Sequence, residues 1–250
     1  MQNNENEFIV NSNERIDDLQ RFGLKIIQSP DQFRFSTDAV LISEFANVKS
    51  DDVCIDLGTG TGVIPLLVYA RRRPKKIIGL EIVPEMVDMA SRSVSMNDLS
   101  DRIEIVEGDI KNAFNLFEKG TFDVVLSNPP YIKAGTGSVS YDDKLALAKH
   151  EVACSLEDVV YSASKLLKPK GRFCMVHKPK RLCDIICAMS SSNITPVRLK
   201  FVQSYEKADP IMVMIEGVKD VSGVLRVYPP LVLYEEDGSY TEELSRIYYE

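Results

Sequence analysis

The stretch Ser127-Asn128-Pro129-Pro130-Tyr131 carries the most specific chemistry in the chain. It follows the apolar run Phe122–Leu126, which reads as a buried strand. That strand must stop here, because neither proline can donate to a β-ladder. The terminus offers two rigid acceptors, the Asn128 side-chain oxygen and the Pro129 carbonyl. A planar amino or amide nitrogen has its lone pair conjugated into its π-system, and it becomes nucleophilic only as it pyramidalises. Acceptors fixed around its two N–H bonds favour that change, a case of preorganisation. Tyr131 can stack on a flat substrate. Asn128, Pro129, Pro130 and Tyr131 are therefore the candidate catalytic set. Tyr-Pro-Pro at 228–230 lacks the asparagine and is not a second copy.

A second cluster lies upstream. Asp56-Leu57-Gly58-Thr59-Gly60-Thr61-Gly62 joins a strand-like run, 52–58, to a helical pattern. Its glycines let a ligand approach the backbone closely. The spacing is G-x-G-x-G, and a dinucleotide-binding G-x-G-x-x-G would need its third glycine at position 63, which is Val63. An NAD-binding domain is the rival reading of this turn. Glu81 ends the next strand, where a carboxylate can accept ribose hydroxyls. Asp109 follows the third strand and can accept from an adenine amino group. Acids at successive strand ends line one crevice, where open α/β sheets bind ligands.

Elements must hold these residues in place. Strand and helix patterns alternate: strands at 52–58, 76–82, 102–109, 122–128 and 171–177, with helices between them. Such repeated units imply a parallel sheet covered on both faces. Two late strands, 197–204 and 211–218, are separated only by Tyr205–Pro210 and suggest an antiparallel end. Residues 132–146 read as a loop rich in Gly, Ser and Asp. Before the first core strand, 36–46 reads as a helix with Ser36 or Thr37 as N-cap, and 23–35 as a small hairpin turning at Pro30-Asp31.

Composition sets outer bounds. The 250 residues fit one large domain with attachments. No apolar run reaches the ~20 residues of a membrane span, and the polar, acidic N-terminus is not a signal peptide; the expected location is cytoplasmic, with no membrane partner. The five cysteines include no C-x-x-C, so a disulfide framework is not expected. Cys183 and Cys187 could share a helix face, read here as packed thiols, with no metal expected. Net charge is −7. Residues 1–20 carry one Arg against five acids, and 218–250 three bases against seven. Lys165–Lys200 holds nine bases against Asp184 alone, and Arg71–Lys76 is a second basic cluster. Each could be a solvated face; together they leave room for a phosphate-binding surface.

The order of these motifs resembles the class I S-adenosylmethionine-dependent methyltransferases over residues 50–217. The resemblance implies a Rossmann-like, seven-stranded, mostly parallel α/β sheet with an antiparallel last strand and helices on both faces. It divides the chain into an N-terminal extension, 1–49 (hairpin plus helix), the methyltransferase domain, 50–217, and a C-terminal extension, 218–250. It implies S-adenosyl-L-methionine as cofactor and S-adenosylhomocysteine as product. By this resemblance Gly58 and Gly60 contact the cofactor's methionine part, Glu81 holds its ribose, and Asp109 with Ile110 flanks its adenine; Asp56, Thr59, Gly62, Ile82 and Asn128 complete that lining.

The Asn-Pro-Pro-Tyr string resembles that of amino-methyltransferases acting on adenine, cytosine or glutamine. Residues 33–46, 149–160 and 227–243 narrow the likeness to the bacterial tRNA1(Val) (adenine-37-N6)-methyltransferases. That family implies a tRNA partner, transfer to an adenine N6 amine, and Phe35, Thr37 and Asp38 against the methionine end of the cofactor. Candidate substrate contacts are Lys178, Lys180 and Arg181, which follow the fifth strand, and His150, which could equally be structural. His177 could assist if protonated. A release-factor glutamine N5-methyltransferase is the second reading, and a non-catalytic RNA-binding module the third. The chain is taken as a monomer by default.

Overall fold

The protein, seen in a computed structural model, is described over residues 10–29, 37–129 and 154–249. One eight-stranded sheet organises it. The strands are β3 (Val53–Leu57), β4 (Lys76–Glu81), β5 (Ile103–Glu107), β6 (Phe122–Ser127), β7 (Leu167–His177), β8 (Ile194–Gln203), β9 (Pro210–Lys219) and β10 (Arg226–Val232). Their order is β10-β8-β9-β7-β6-β3-β4-β5. Only β9 runs antiparallel to its neighbours, β7 and β8. The expected seven strands and reversed last strand are thus present. The eighth, β10, is an addition that pairs in parallel with β8 at the sheet edge. Sequence reading missed it because Pro229 and Pro230 argue against a strand. They are accommodated at an edge, where the register shifts between Tyr228 and Leu231.

Alternation along the inner strands builds two cores. Cys54, Val124, Leu126, Cys174, Val176, Met212 and Met214 face one layer. That layer contains α1 (Thr37–Phe45) and α2 (Val63–Arg72). Ile55, Leu57, Val125, Phe173, Met175, Val213 and Ile215 face the other. It contains α4 (Ala113–Leu116), α5 (Leu156–Leu166) and α6 (Leu182–Ser191). Odd and even positions of one strand point oppositely, so both faces must be apolar, and both are. A capping box, Ser155 with Asp158, starts α5.

An N-terminal hairpin precedes α1. Its strands are β1 (Arg15–Asp18) and β2 (Lys25–Gln28), so the turn lies at 19–24; the Pro30-Asp31 turn falls outside the described residues. Gly23 takes φ +68° there. Side chains of α3 (Pro84–Met96) and its C-cap dock the free edge of β2. Ser93 Oγ accepts from Ile27 N–H at 2.9 Å, and Asn97 both accepts from Lys25 N–H and donates to its carbonyl. These bonds satisfy an otherwise open strand edge. A last helix, α7 (Glu242–Tyr249), packs against α1 and β10.

Candidate active site

The Gly-rich turn sits at the C-terminal end of β3, between β4 and β6. Gly58 and Thr59 both donate their N–H to the Leu80 carbonyl, at 2.9 and 3.0 Å, which ties the turn to the end of β4. Gly60 has φ +57°, a left-handed conformation, and a side chain there would meet nothing within 4 Å. The backbone is therefore open to a ligand at that point. Gly62 serves packing: a Cβ would sit 3.2 Å from that of Ala90 in α3.

Glu81 is buried and accepts three backbone donors. Its Oε2 accepts from Gly60 N–H at 2.8 Å, and its Oε1 accepts from Ile82 and Val83 N–H at 2.9 and 3.0 Å. One carboxylate thus holds both the turn and the two residues that lead into α3. Asp109 accepts from Lys111 N–H at 2.9 Å and caps the short 3₁₀ turn Ile110–Asn112. Ile110 lies over Gly58, and its carbonyl accepts from Ser162 of α5 at 2.7 Å.

Asp56 is the opposite of Glu81. It is fully buried, and among the described residues neither carboxylate oxygen has a hydrogen-bond partner, nor has the Thr59 hydroxyl. Burial pushes the Asp56 carboxyl up to about 7. The Thr59 hydroxyl, near but outside hydrogen-bond geometry, opposes this, and the Glu81 carboxylate adds to it. A buried acceptor without a donor is costly. Sited beneath an open glycine turn, it suits a ligand bringing positive charge or N–H groups.

Asn128 and Pro129 are half-buried at the end of β6, on the same rim. Ser127, not singled out from sequence, fastens the two motifs. Its hydroxyl donates to the Leu57 carbonyl at 2.9 Å, joining the last residue of β6 to the last of β3. Thr37 begins α1 and accepts from Tyr248 Oη at 3.3 Å, while Asp38 is buried beside it. No local pattern could have shown Ser127 or Tyr248 as partners across 70 and 211 residues. Phe35, Pro130, Tyr131 and His150 lie outside the described residues.

Comparison with known proteins settles the family. A model described as a methyltransferase domain matches residues 48–213. A tRNA1(Val) (adenine(37)-N6)-methyltransferase of Bacteroides fragilis is 30% identical over 183 residues, covering 73% of this chain and 76% of that one. The chain belongs to this tRNA1(Val) (adenine(37)-N6)-methyltransferase family. The Porphyromonas gingivalis member is 29% identical over 222 residues, 86% of each chain. Solved structures agree in fold. A predicted O-methyltransferase from Agrobacterium tumefaciens aligns with TM-score 0.68 at 23% identity, over 84% of this chain and 94% of that one. P. horikoshii TYW2 in complex with MeSAdo aligns with TM-score 0.59 at 13% identity, over 84% and 73%.

For a member of the tRNA1(Val) (adenine(37)-N6)-methyltransferase family, the basic residues matter next. The segment 165–200 does not form one free surface. Lys168 pairs with Asp123, Arg172 with Asp52, Arg181 with Asp184, Arg198 with Glu216, and Lys200 with Glu243. Lys178, Lys180 and Arg181 do follow β7 in one 3₁₀ turn; Lys180 is exposed, Lys178 and Arg181 half-buried. His177 does not join them as a cation. It is 2% exposed, and burial, with Arg181, Lys178 and Lys180 nearby, pushes its pKa down to about 4. Its neutral Nδ1 accepts from Lys178 N–H at 2.7 Å. Cys183 and Cys187 are exposed on α6 rather than packed. Among the described residues no group of three or more His, Cys, Asp or Glu could hold a metal, and no helix is long and apolar enough to cross a membrane.

Proposed function

We propose that the chain transfers a methyl group from S-adenosylmethionine to the N6 amine of an adenine in tRNA. The observation that carries this is the rim itself. Asp56, Glu81 and Asp109 stand at or beyond the ends of β3, β4 and β5, and Asn128 follows β6, fastened to β3 through Ser127. Residues 50–217 form the catalytic unit in this reading, with 1–49 and 218–250 as extensions. S-adenosylmethionine supplies a methyl group already activated by a sulfonium, so no strong general base is required.

The chain's own residues bind, orient and exclude water. Asp56 and Thr59 give orphaned acceptors to the cationic, N–H-bearing end of the cofactor. Gly58 and Gly60 leave room above them, with Thr37 and Asp38 flanking. Glu81 has about four acceptor directions and uses three. It takes one ribose hydroxyl directly and a second only by releasing a backbone donor. Asp109, Ile110 and Ile82 border the adenine. Asn128 and the Pro129 carbonyl hold the acceptor amine by its two N–H groups, and Tyr131 stacks on the base. Lys178 and Lys180, with Arg181 tethered to Asp184, grip the tRNA backbone. An unpaired anticodon-loop base costs little to extrude, so a modest grip suffices.

Tritium transfer from labelled S-adenosylmethionine into bulk tRNA, followed by nucleoside analysis, tests the reading. Label recovered as N6-methyladenosine is the expected result. Label absent from tRNA and found on a release-factor glutamine overturns it.

A further inference from the structure

A cavity of about 620 Å³ lies away from the methyl-transfer rim, between the C-terminal ends of α1 and α2, the hairpin turn, β8, β10 and α7. It opens at the far end of α2, roughly 15 Å from Gly62 by that helix's ten-residue length. In a chain of net charge −7 this cavity is basic. Arg21, Arg71 and Arg72 meet at its floor with one carboxylate, Glu44, between them. Arg71 bonds Glu44 at 2.9 Å and the Ile247 carbonyl, and Arg72 reaches Glu44 at 3.4 Å. Arg21 is only 7% exposed, yet among the described residues its guanidinium has no hydrogen bond or ion pair. The Nε atoms of both Arg21 and Arg71 are buried and orphaned.

The walls add Arg198, Lys200 and Arg246, with Glu243 the second carboxylate lining the cavity. Arg198 and Lys200 are ion-paired with Glu216 and Glu243. The floor remains in excess: three guanidiniums share one acid. Charge at the end of α2 explains part of this, because cations there offset the helix dipole. It does not explain a buried Arg21 in a hairpin turn. Burial and the neighbouring Arg72 lower its pKa against the pull of Glu44.

We propose that this cavity binds a phosphate group, carried either by a small phosphorylated compound or by the backbone of an RNA. Planar guanidinium forks match phosphate oxygens in pairs, and three guanidiniums against one carboxylate leave an excess of donors for a multiply charged acceptor. The volume suits a ligand of nucleotide size. This inference stands apart from the methyl-transfer reading: the binding of phosphate to these arginines requires nothing of Asn128 or Asp56.

The test uses the full chain and two probes. Inorganic pyrophosphate is titrated calorimetrically at low salt, and an anticodon stem-loop RNA by fluorescence anisotropy. Wild-type protein is expected to bind pyrophosphate saturably, and Arg21→Gln with Arg72→Gln to weaken it ~10-fold or more, with S-adenosylmethionine affinity unchanged. If the double variant loses RNA affinity to the same degree and its salt dependence flattens, the phosphate is the RNA's. If RNA affinity is unchanged while pyrophosphate binding falls, the ligand is a small compound. Arg72→Gln alone, at a partly exposed position, replaces the double variant if that does not fold. Pyrophosphate binding that survives the substitutions overturns the proposal. So does the absence of pyrophosphate binding together with unchanged RNA affinity.

Discussion

At the Gly-rich rim, the buried polar atoms without partners are the two Asp56 oxygens and the Thr59 hydroxyl. At the far end of α2 they are the Nε donors of Arg21 and Arg71. Among the described residues these five are the buried side-chain nitrogens and oxygens without a hydrogen bond. The other buried side-chain nitrogens and oxygens of the described residues are matched, as folding demands. The two regions therefore break the same rule with opposite sign. Orphaned acceptors at the rim suit a ligand bearing donors and positive charge; orphaned donors in the cavity suit an anion. Glu81 sharpens the contrast. It is as buried as Asp56 but accepts three backbone N–H groups, so it builds the rim whether or not a ligand is present.

The largest effect should come from Asn128→Ala. Methyl transfer should fall ~10²-fold or more while cofactor affinity changes little, as when one preorganised partner is lost. Single-turnover rates check this, and near wild-type turnover would refute the role given to Asn128. Glu81→Ala should act differently. It strands three backbone donors, so unliganded stability should drop by about 1.5–3 kcal/mol in chemical denaturation, and cofactor affinity should fall with it. Unchanged stability would mean that Glu81 is a ligand contact only.

Two buried groups should pull stability in opposite directions with pH. His177 has a native pKa below its unfolded one, so the unfolded state binds the proton first. Its contribution is lost as pH falls from about 6.5 through about 4, on the order of 3 kcal/mol. His177→Gln should remove that loss. Asp56 has a native pKa raised to about 7 from 3.8, so its contribution is lost as pH rises through that window. Asp56→Asn should gain on wild-type in unliganded melting temperature as pH climbs to 8, while cofactor binding weakens. A gain at every pH would show that Asp56 is a packing defect and not a titrating one. The smallest effect is expected for Ser127→Ala, about 1 kcal/mol of stability for one buried hydrogen bond. Methyl transfer should fall more than cofactor affinity if that bond sets the position of Asn128.

Much of this was legible in the chain because it is local. The Gly-rich turn, the acids at strand ends and the asparagine before two prolines each follow from backbone geometry within a few residues. The alternation of apolar strand runs with helical patterns gave the parallel sheet, since repeated βα units cover both faces of their strands. Other features depended on partners far apart in sequence. β10 forms because an edge tolerates prolines, which no local rule could grant. The basic run at 165–200 could be read as a solvated face or as part of a phosphate-binding surface, but pairing with Asp123, Asp52, Glu216 and Glu243 spends much of it on ion pairs. His177 looked like a possible cation until burial made it neutral. Sequence alone determined which groups are present at the ends of the strands. Only the tertiary structure decided which of them are satisfied, because a hydrogen-bond partner is a matter of position in space and not of order along the chain.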